Sequence, residues 1–114
     1  RVNVYRSDVL NDIPESEKWD LVVANPPLLH SEGANSVNML DYDGNGTLQH
    51  RFYATVKKFM NPGGLVLMLY KRGEATPDDF RPMIEAGGGR IVDSLIRKDF
   101  RGNESDRYYL LSSW

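Results

Sequence analysis

The sequence predicts an α/β sandwich with a mostly parallel sheet and an antiparallel pair of strands at its end. Three observations carry that expectation. Apolar runs alternate with segments of helical period, in the order strand, strand, helix, strand, helix, strand, strand, and such alternation favours helices crossing between parallel strands. The runs "LVVA" and "LVLMLY" are continuous rather than alternating, as in strands covered on both faces. Proline and glycine clusters punctuate the chain where those elements would stop.

Residues Arg1 to Arg6 alternate, with Val2 and Val4 on one side, which predicts a short first strand. "DVLNDIPESEK" follows as a charged loop with room for one turn of helix. Trp19 to Ala24 reads as the second strand, stopped by Pro26 and Pro27, neither of which can donate to a ladder. From Leu28 to Thr47 the chain is rich in Ser, Asn, Gly and Asp without a period, and a loop of that length suits a lid over a substrate. Leu48, Phe52, Val56, Phe59 and Met60 then fall on one helical stripe, which reads as core, while Arg51, Lys57 and Lys58 point elsewhere. "NPGG" at Asn61 to Gly64 stops that helix, and Leu65 to Tyr70, the most apolar run, reads as the central strand. Thr76 can cap a second helix, with Pro77 in its first position and Asp78 and Asp79 near its positive end. Pro82 removes one hydrogen bond from that helix, so it should be short or kinked, and "GGG" at Gly87 to Gly89 ends it. Arg90 to Phe100 and Arg107 to Trp114 read as two strands of a hairpin joined through "RGNES".

At 114 residues the chain is a single domain with one core. A formal net charge of -2 gives no global field that would draw in nucleic acid or a membrane. The absence of cysteine excludes disulfides, thiolate metal sites and thiol nucleophiles, and fits a cytoplasmic setting. No apolar run approaches the roughly 18 residues of a membrane span, and no signal peptide is visible. The chain opens inside a strand-like pattern, as a portion of something longer would.

The chemistry concentrates at Asn25. In an open α/β sheet, ligands bind beyond the carboxyl ends of the strands. Two consecutive prolines restrict the backbone there, so the Asn25 amide and the Pro26 carbonyl are aimed rather than mobile. Two adjacent acceptors suit the two N–H bonds of a planar –NH2 group. Such a nitrogen is a poor nucleophile, because its lone pair is delocalised. Acceptors that draw both protons toward a pyramidal geometry return that lone pair to nitrogen, a combination of transition-state stabilisation and orientation.

"SDVL…KWDLVVANPP" resembles the second half of class I S-adenosylmethionine-dependent methyltransferases of the NPPY amino-methylating type, which act on nucleobase amino groups or on the glutamine side chain of release factors. "GTLQHRFYATVKKFMNPGGLVLMLYK" is similar to the helix, turn and central strand that follow in that family. The resemblance implies a Rossmann-like three-layer sandwich lacking the first two strands of the full fold, with residues 1-114 as the C-terminal portion of the domain. It implies Asn25 and Pro26 as the amino-gripping pair, with Pro27 and Leu28 against the substrate. It places Asp8 and Val9 beside the adenine of S-adenosylmethionine, with Asn25 also near the cofactor. Leu28 departs from the family's aromatic position and offers apolar contact without a π face. The glycine-rich loop of the family is not found in the chain, so cofactor binding is expected to be weak. The partners implied are nucleic acid or a protein glutamine, with no membrane. An open sheet edge would also invite self-association.

Two alternatives accompany this reading. One is a non-catalytic binding or structural module. The other is a calcium loop, because Asp41, Asp43, Asn45, Gly46 and Leu48 fall at EF-hand positions. Phe52, however, stands where the bidentate Glu belongs, so no resident metal is expected. His30 and His50 are isolated and read as bystanders. Arg97, Lys98, Arg101 and Arg107 read as a solvated face.

Overall fold

In the computed structural model, which describes residues 2–26 and 47–114, two helices cover one face of a four-stranded sheet. The elements are β1 (Trp19–Ala24), α1 (Thr47–Thr55), a 3-10 turn (Val56–Phe59), β2 (Met60–Lys71), α2 (Pro77–Ala86), β3 (Arg90–Lys98) and β4 (Glu104–Ser113). The strands lie in the order β1-β2-β4-β3. β1 runs parallel to β2, with Leu21 opposite Leu65 and Ala24 opposite Met68. β4 is antiparallel to both β2 and β3. The sheet is therefore mostly antiparallel, which corrects the expectation of a mostly parallel one. The physical reason lies in the last strand. Helix α2 does return the chain so that β3 runs in the direction of β2, but β4 inserts between them and opposes both.

The core lies between the helices and one sheet face. Val66, Met68 and Tyr70 of β2 are buried, alternating with the partly exposed Leu65, Leu67 and Leu69. Tyr108 and Leu110 of β4 extend the buried face, and Tyr53, Phe80 and Ile84 descend onto it from the helices. Tyr70 stacks on Phe80 with ring centroids 4.1 Å apart, and Tyr53 stacks on Trp114 at 5.8 Å. Each such aromatic pair adds about 0.5–1.5 kcal/mol beyond its area burial.

The opposite face has no helix over it among the described residues. Leu21 is 58% exposed and Val23 66% exposed, and Leu95 is exposed on the same side. The described residues thus form two layers where three were expected, and they cover β1 on one face. A continuous apolar run reports that both sides of a strand favour burial, but not which elements supply the cover.

Two expectations about element boundaries fail for similar reasons. Residues 2–6 form no strand: Val2 is 85% and Val4 90% exposed, and alternation without a ladder partner holds nothing. The outer edge of β1 stays unpaired among the described residues. "NPGG" lies inside β2 rather than before it. Trp19 pairs with Met60 and Leu21 with Leu65, so Asn61 to Gly64 bulge opposite Asp20, with Gly63 at φ 77°. Asn61 Nδ2 closes that bulge by donating to Asp20 Oδ1 at 2.8 Å.

The second helix follows its sequence signals. The Thr76 backbone N–H donates to the Asp79 carboxylate at 2.7 Å, Pro77 opens the helix, and Gly87 caps its end.

Candidate functional site

The segment before β1 is built from turns. Asp8 O accepts from Asn11 N–H at 3.0 Å, and Leu10 O from Ile13 N–H at 3.3 Å. Side chains tie the same loop. Ser7 Oγ accepts from the Asp12 N–H, and Asp12 Oδ2 from the Asp8 N–H, both at 3.0 Å. These are the local side-chain bonds that Ser and Asp offer in place of a ladder. Val9 sits at the bend with φ 55°. A β-branched residue in the left-handed region is strained, and such strain concentrates at ligand sites.

Helix α1 closes the other side. Arg51 Nη2 donates to Asp8 Oδ2 at 2.8 Å, which holds the Asp8 carboxyl below the usual carboxylate range. Burial opposes this shift only in part, because the pair lies at the surface.

Between the turn segment, the inner face of β1 and α1 lies a cavity of about 560 Å³. Val9, Leu10, Trp19, Val22, Phe52 and Met68 make its apolar walls, with Asp8 and Ser7 at the polar end and Ala24 and Pro26 at the end of β1. Its lining, apolar with a few polar groups, is of the kind that small-molecule sites have. Asn25, between Ala24 and Pro26, is exposed. Its side chain has no hydrogen-bond partner among the described residues.

The structure therefore brings Asp8, Val9 and Pro26 to one cavity and leaves Asn25 exposed between two lining residues, just past the carboxyl end of β1. Pro27, Leu28, His30 and the Asp41 to Gly46 loop fall outside the described residues. His50 is exposed on α1 and lines a separate hollow of about 230 Å³ with Pro82 and Met83. No group of three or more metal-binding side chains occurs among the described residues. Among them, too, no helix is long and apolar enough to cross a membrane.

Sequence reasoning missed Arg51, Trp19 and Met68 as parts of this site. Arg51 stands one position before a core Phe on an amphipathic helix, a place that signals only a flank. Nothing local indicates that it reaches back 43 residues to Asp8. Behind the cavity, Tyr70 Oη donates to Gln49 Oε1 at 2.7 Å and lies 2.9 Å from Tyr53 Oη, a buried polar chain that the apolar stripe also concealed.

Comparisons with known proteins bear on the fold. No protein-family model matches the chain, and no curated protein matches it significantly. Solved structures do. M1.HpyAVI superposes with a TM-score of 0.60 at 17% identity, over 96% of this chain and 53% of its own. TTHA0409, a candidate DNA modification methylase from Thermus thermophilus, gives 0.58 at 19% identity, over 92% of this chain and 47% of its own. SMU.776, a candidate methyltransferase solved with SAH, gives 0.56 at 12% identity, over 86% of this chain and 27% of its own. The chain thus spans between about a quarter and about half of the length of these proteins. At such identities the likeness speaks to architecture: the chain has a methyltransferase-like α/β fold.

Proposed function

We propose that this chain is the acceptor-side portion of an S-adenosylmethionine-dependent N-methyltransferase acting on a planar amino group, in a nucleobase or a glutamine amide. The observation that carries the reading is the single cavity joining Asp8 and Val9 to Ala24 and Pro26, the two neighbours in sequence of the exposed Asn25. The fold likeness to methyltransferases, one of them holding SAH, supports it.

The residues present fit the nucleoside end of such a cofactor. Apolar walls from Val9, Leu10 and Phe52 suit a flat base, and the Asp8 carboxylate suits an amino or hydroxyl donor, in competition with Arg51. When bound, S-adenosylmethionine supplies an electrophilic methyl group. The chain's own part is orientation. Asn25 Oδ1 and the Pro26 carbonyl accept the two N–H bonds of the substrate, which localises the nitrogen lone pair and steadies the positive charge that develops there. Transfer of that methyl would break its S–C bond as the N–C bond forms, leaving a neutral thioether, and the one N–H proton released would pass to solvent. Asn25 needs no pKa near neutrality for this role, because it polarises and positions without taking the proton.

The test is a titration of the chain with adenosine and with S-adenosylmethionine, read by amide NMR shifts. Changes confined to Val9, Leu10, Ala24 and Phe52, and weakened by Asp8→Ala, support the reading. Shifts centred elsewhere would overturn it. In a catalytically complete protein containing this segment, Asn25→Ala is expected to depress methylation while leaving cofactor affinity near its starting value. An unaffected rate would remove the amino-gripping role.

A further inference from the structure

We infer that the tip of the β3–β4 ribbon binds a single strand of nucleic acid, with Phe100 as a base-stacking platform and Arg97, Lys98 and Arg101 on the phosphates.

Phe100 is 93% exposed at the end of the ribbon. Arg97, Lys98 and Arg101 are exposed around it, and the Arg101 guanidinium lies 5.2 Å from the ring centroid. Among the described residues none of the three cations has an ion-pair partner. The acids nearby are engaged: Glu104 with Arg72 at 3.4 Å and Asp106 with Arg107 at 3.7 Å. Asp99 is spent on the turn, where its Oδ1 accepts from the Arg101 N–H at 2.8 Å and the Asn103 N–H at 2.9 Å. A chain of net charge -2 thus carries a locally cationic tip built round one bare aromatic ring. That pairing of phosphate-binding cations with a sequence-tolerant stacking face is how single strands are held. The turn is already ordered by Asp99, so little conformational freedom is lost on binding.

The topology puts the tip on the substrate side. β3 runs in the direction of β2, so residues 99–103 project beyond the same sheet end as Asn25. With β1 and β3 at opposite edges, three strand spacings separate the two strands, about 14 Å, and because Ala24 is level with Ser94 the tip stands roughly 17 Å further out than Asn25. A polymer lying across the sheet end can touch both places, and a small amine cannot. The surface shares no residue with the cavity and stands whether or not that cavity accepts an amino group. A single ring ringed by charges also offers too little apolar area for a lipid interface, where a whole apolar face inserts.

The experiment is fluorescence anisotropy with a labelled oligothymidylate across a salt series, on the chain and on two variants at exposed positions. Phe100→Ala is expected to weaken binding between about fivefold and a hundredfold. The triple substitution Arg97→Gln, Lys98→Gln, Arg101→Gln is expected to lower the slope of log affinity against log salt by about 2. Unchanged thermal melts confirm that both variants are folded. Absence of binding by the parent chain overturns the inference, as does binding that either variant leaves unchanged. Retention on phosphatidylserine vesicles without binding to the oligonucleotide overturns it in favour of a membrane.

Discussion

Arg51 and Asp8 stand 43 residues apart in sequence and 2.8 Å apart in space. That contact ties α1 to the turn before β1, beside the cavity that Asp8 lines. Hydrogen bonding to Arg51 is the chief cause of the lowered Asp8 pKa. A carboxylate depressed in the folded state contributes stability above its unfolded pKa and loses it as pH falls through the folded one. Arg51→Ala is therefore expected to raise the Asp8 titration midpoint seen by carboxyl-detected NMR. An identical midpoint would mean that the pair does not persist in solution. Because the pair is exposed, the cost in global stability is expected to be small.

Tyr70 offers a sharper stability test. Its hydroxyl links Gln49 to Tyr53, and all three side chains are buried. Tyr70→Phe preserves the stack on Phe80 and removes both bonds. Loss of about 1–3 kcal/mol in urea unfolding is expected, because two buried hydrogen bonds are removed. A neutral result would indicate that water enters the chain of hydroxyls.

Two glycines separate steric crowding from backbone strain. Gly87 has an ordinary backbone, but a Cβ there would lie 2.1 Å from the Tyr53 carbonyl oxygen. Gly87→Ala should cost about 3 kcal/mol or more, because α1 and α2 must part. Gly102 has open space around it and φ 83°. Gly102→Ala should cost about 1–2 kcal/mol through the left-handed backbone alone. Equal losses would contradict the close approach at Gly87.

The two sheet faces predict opposite sensitivities. Leu110→Ala empties a site that is fully buried and should cost about 2–5 kcal/mol. Leu21→Ala, on the face without a helix, should fall within about 0.5 kcal/mol of the parent. A large loss at Leu21 would show that this face is covered in solution.

Asp99 supplies a pH test at the ribbon tip. Backbone N–H bonds, first from Asn103 and also from Arg101, hold its carboxyl below the usual range. The order they confer is present above the unfolded pKa and lost as pH falls through the folded one. Amide exchange at Arg101 and Asn103, corrected for intrinsic rates, should quicken under acid while the rest of β4 stays protected. Uniform protection would contradict the capping role.

Trp19–Ala24, the Leu65 to Tyr70 core of β2 and the Thr76–Asp79 cap were legible because their signals are local. A continuous apolar run, an alternating burial and a capping residue each act over a few positions, and each reports its own element. The position of Asn25 just past the end of β1 was legible for the same reason, as a polar residue between a strand and two prolines. Residues 2–6 show where such signals fail. Alternation states that a segment could pair, but only a neighbour with free N–H and C=O groups makes it a strand, and none is supplied among the described residues. The bulge at Asn61 to Gly64 depends on Trp19, and the direction of the sheet depends on β4 inserting between β2 and β3. The ion pair from Arg51 to Asp8 depends on where α1 lands. Chain composition sets which surfaces avoid water, whereas pairing, direction and long-range contacts are settled when distant segments compete for the same partners, and folding alone resolves that competition.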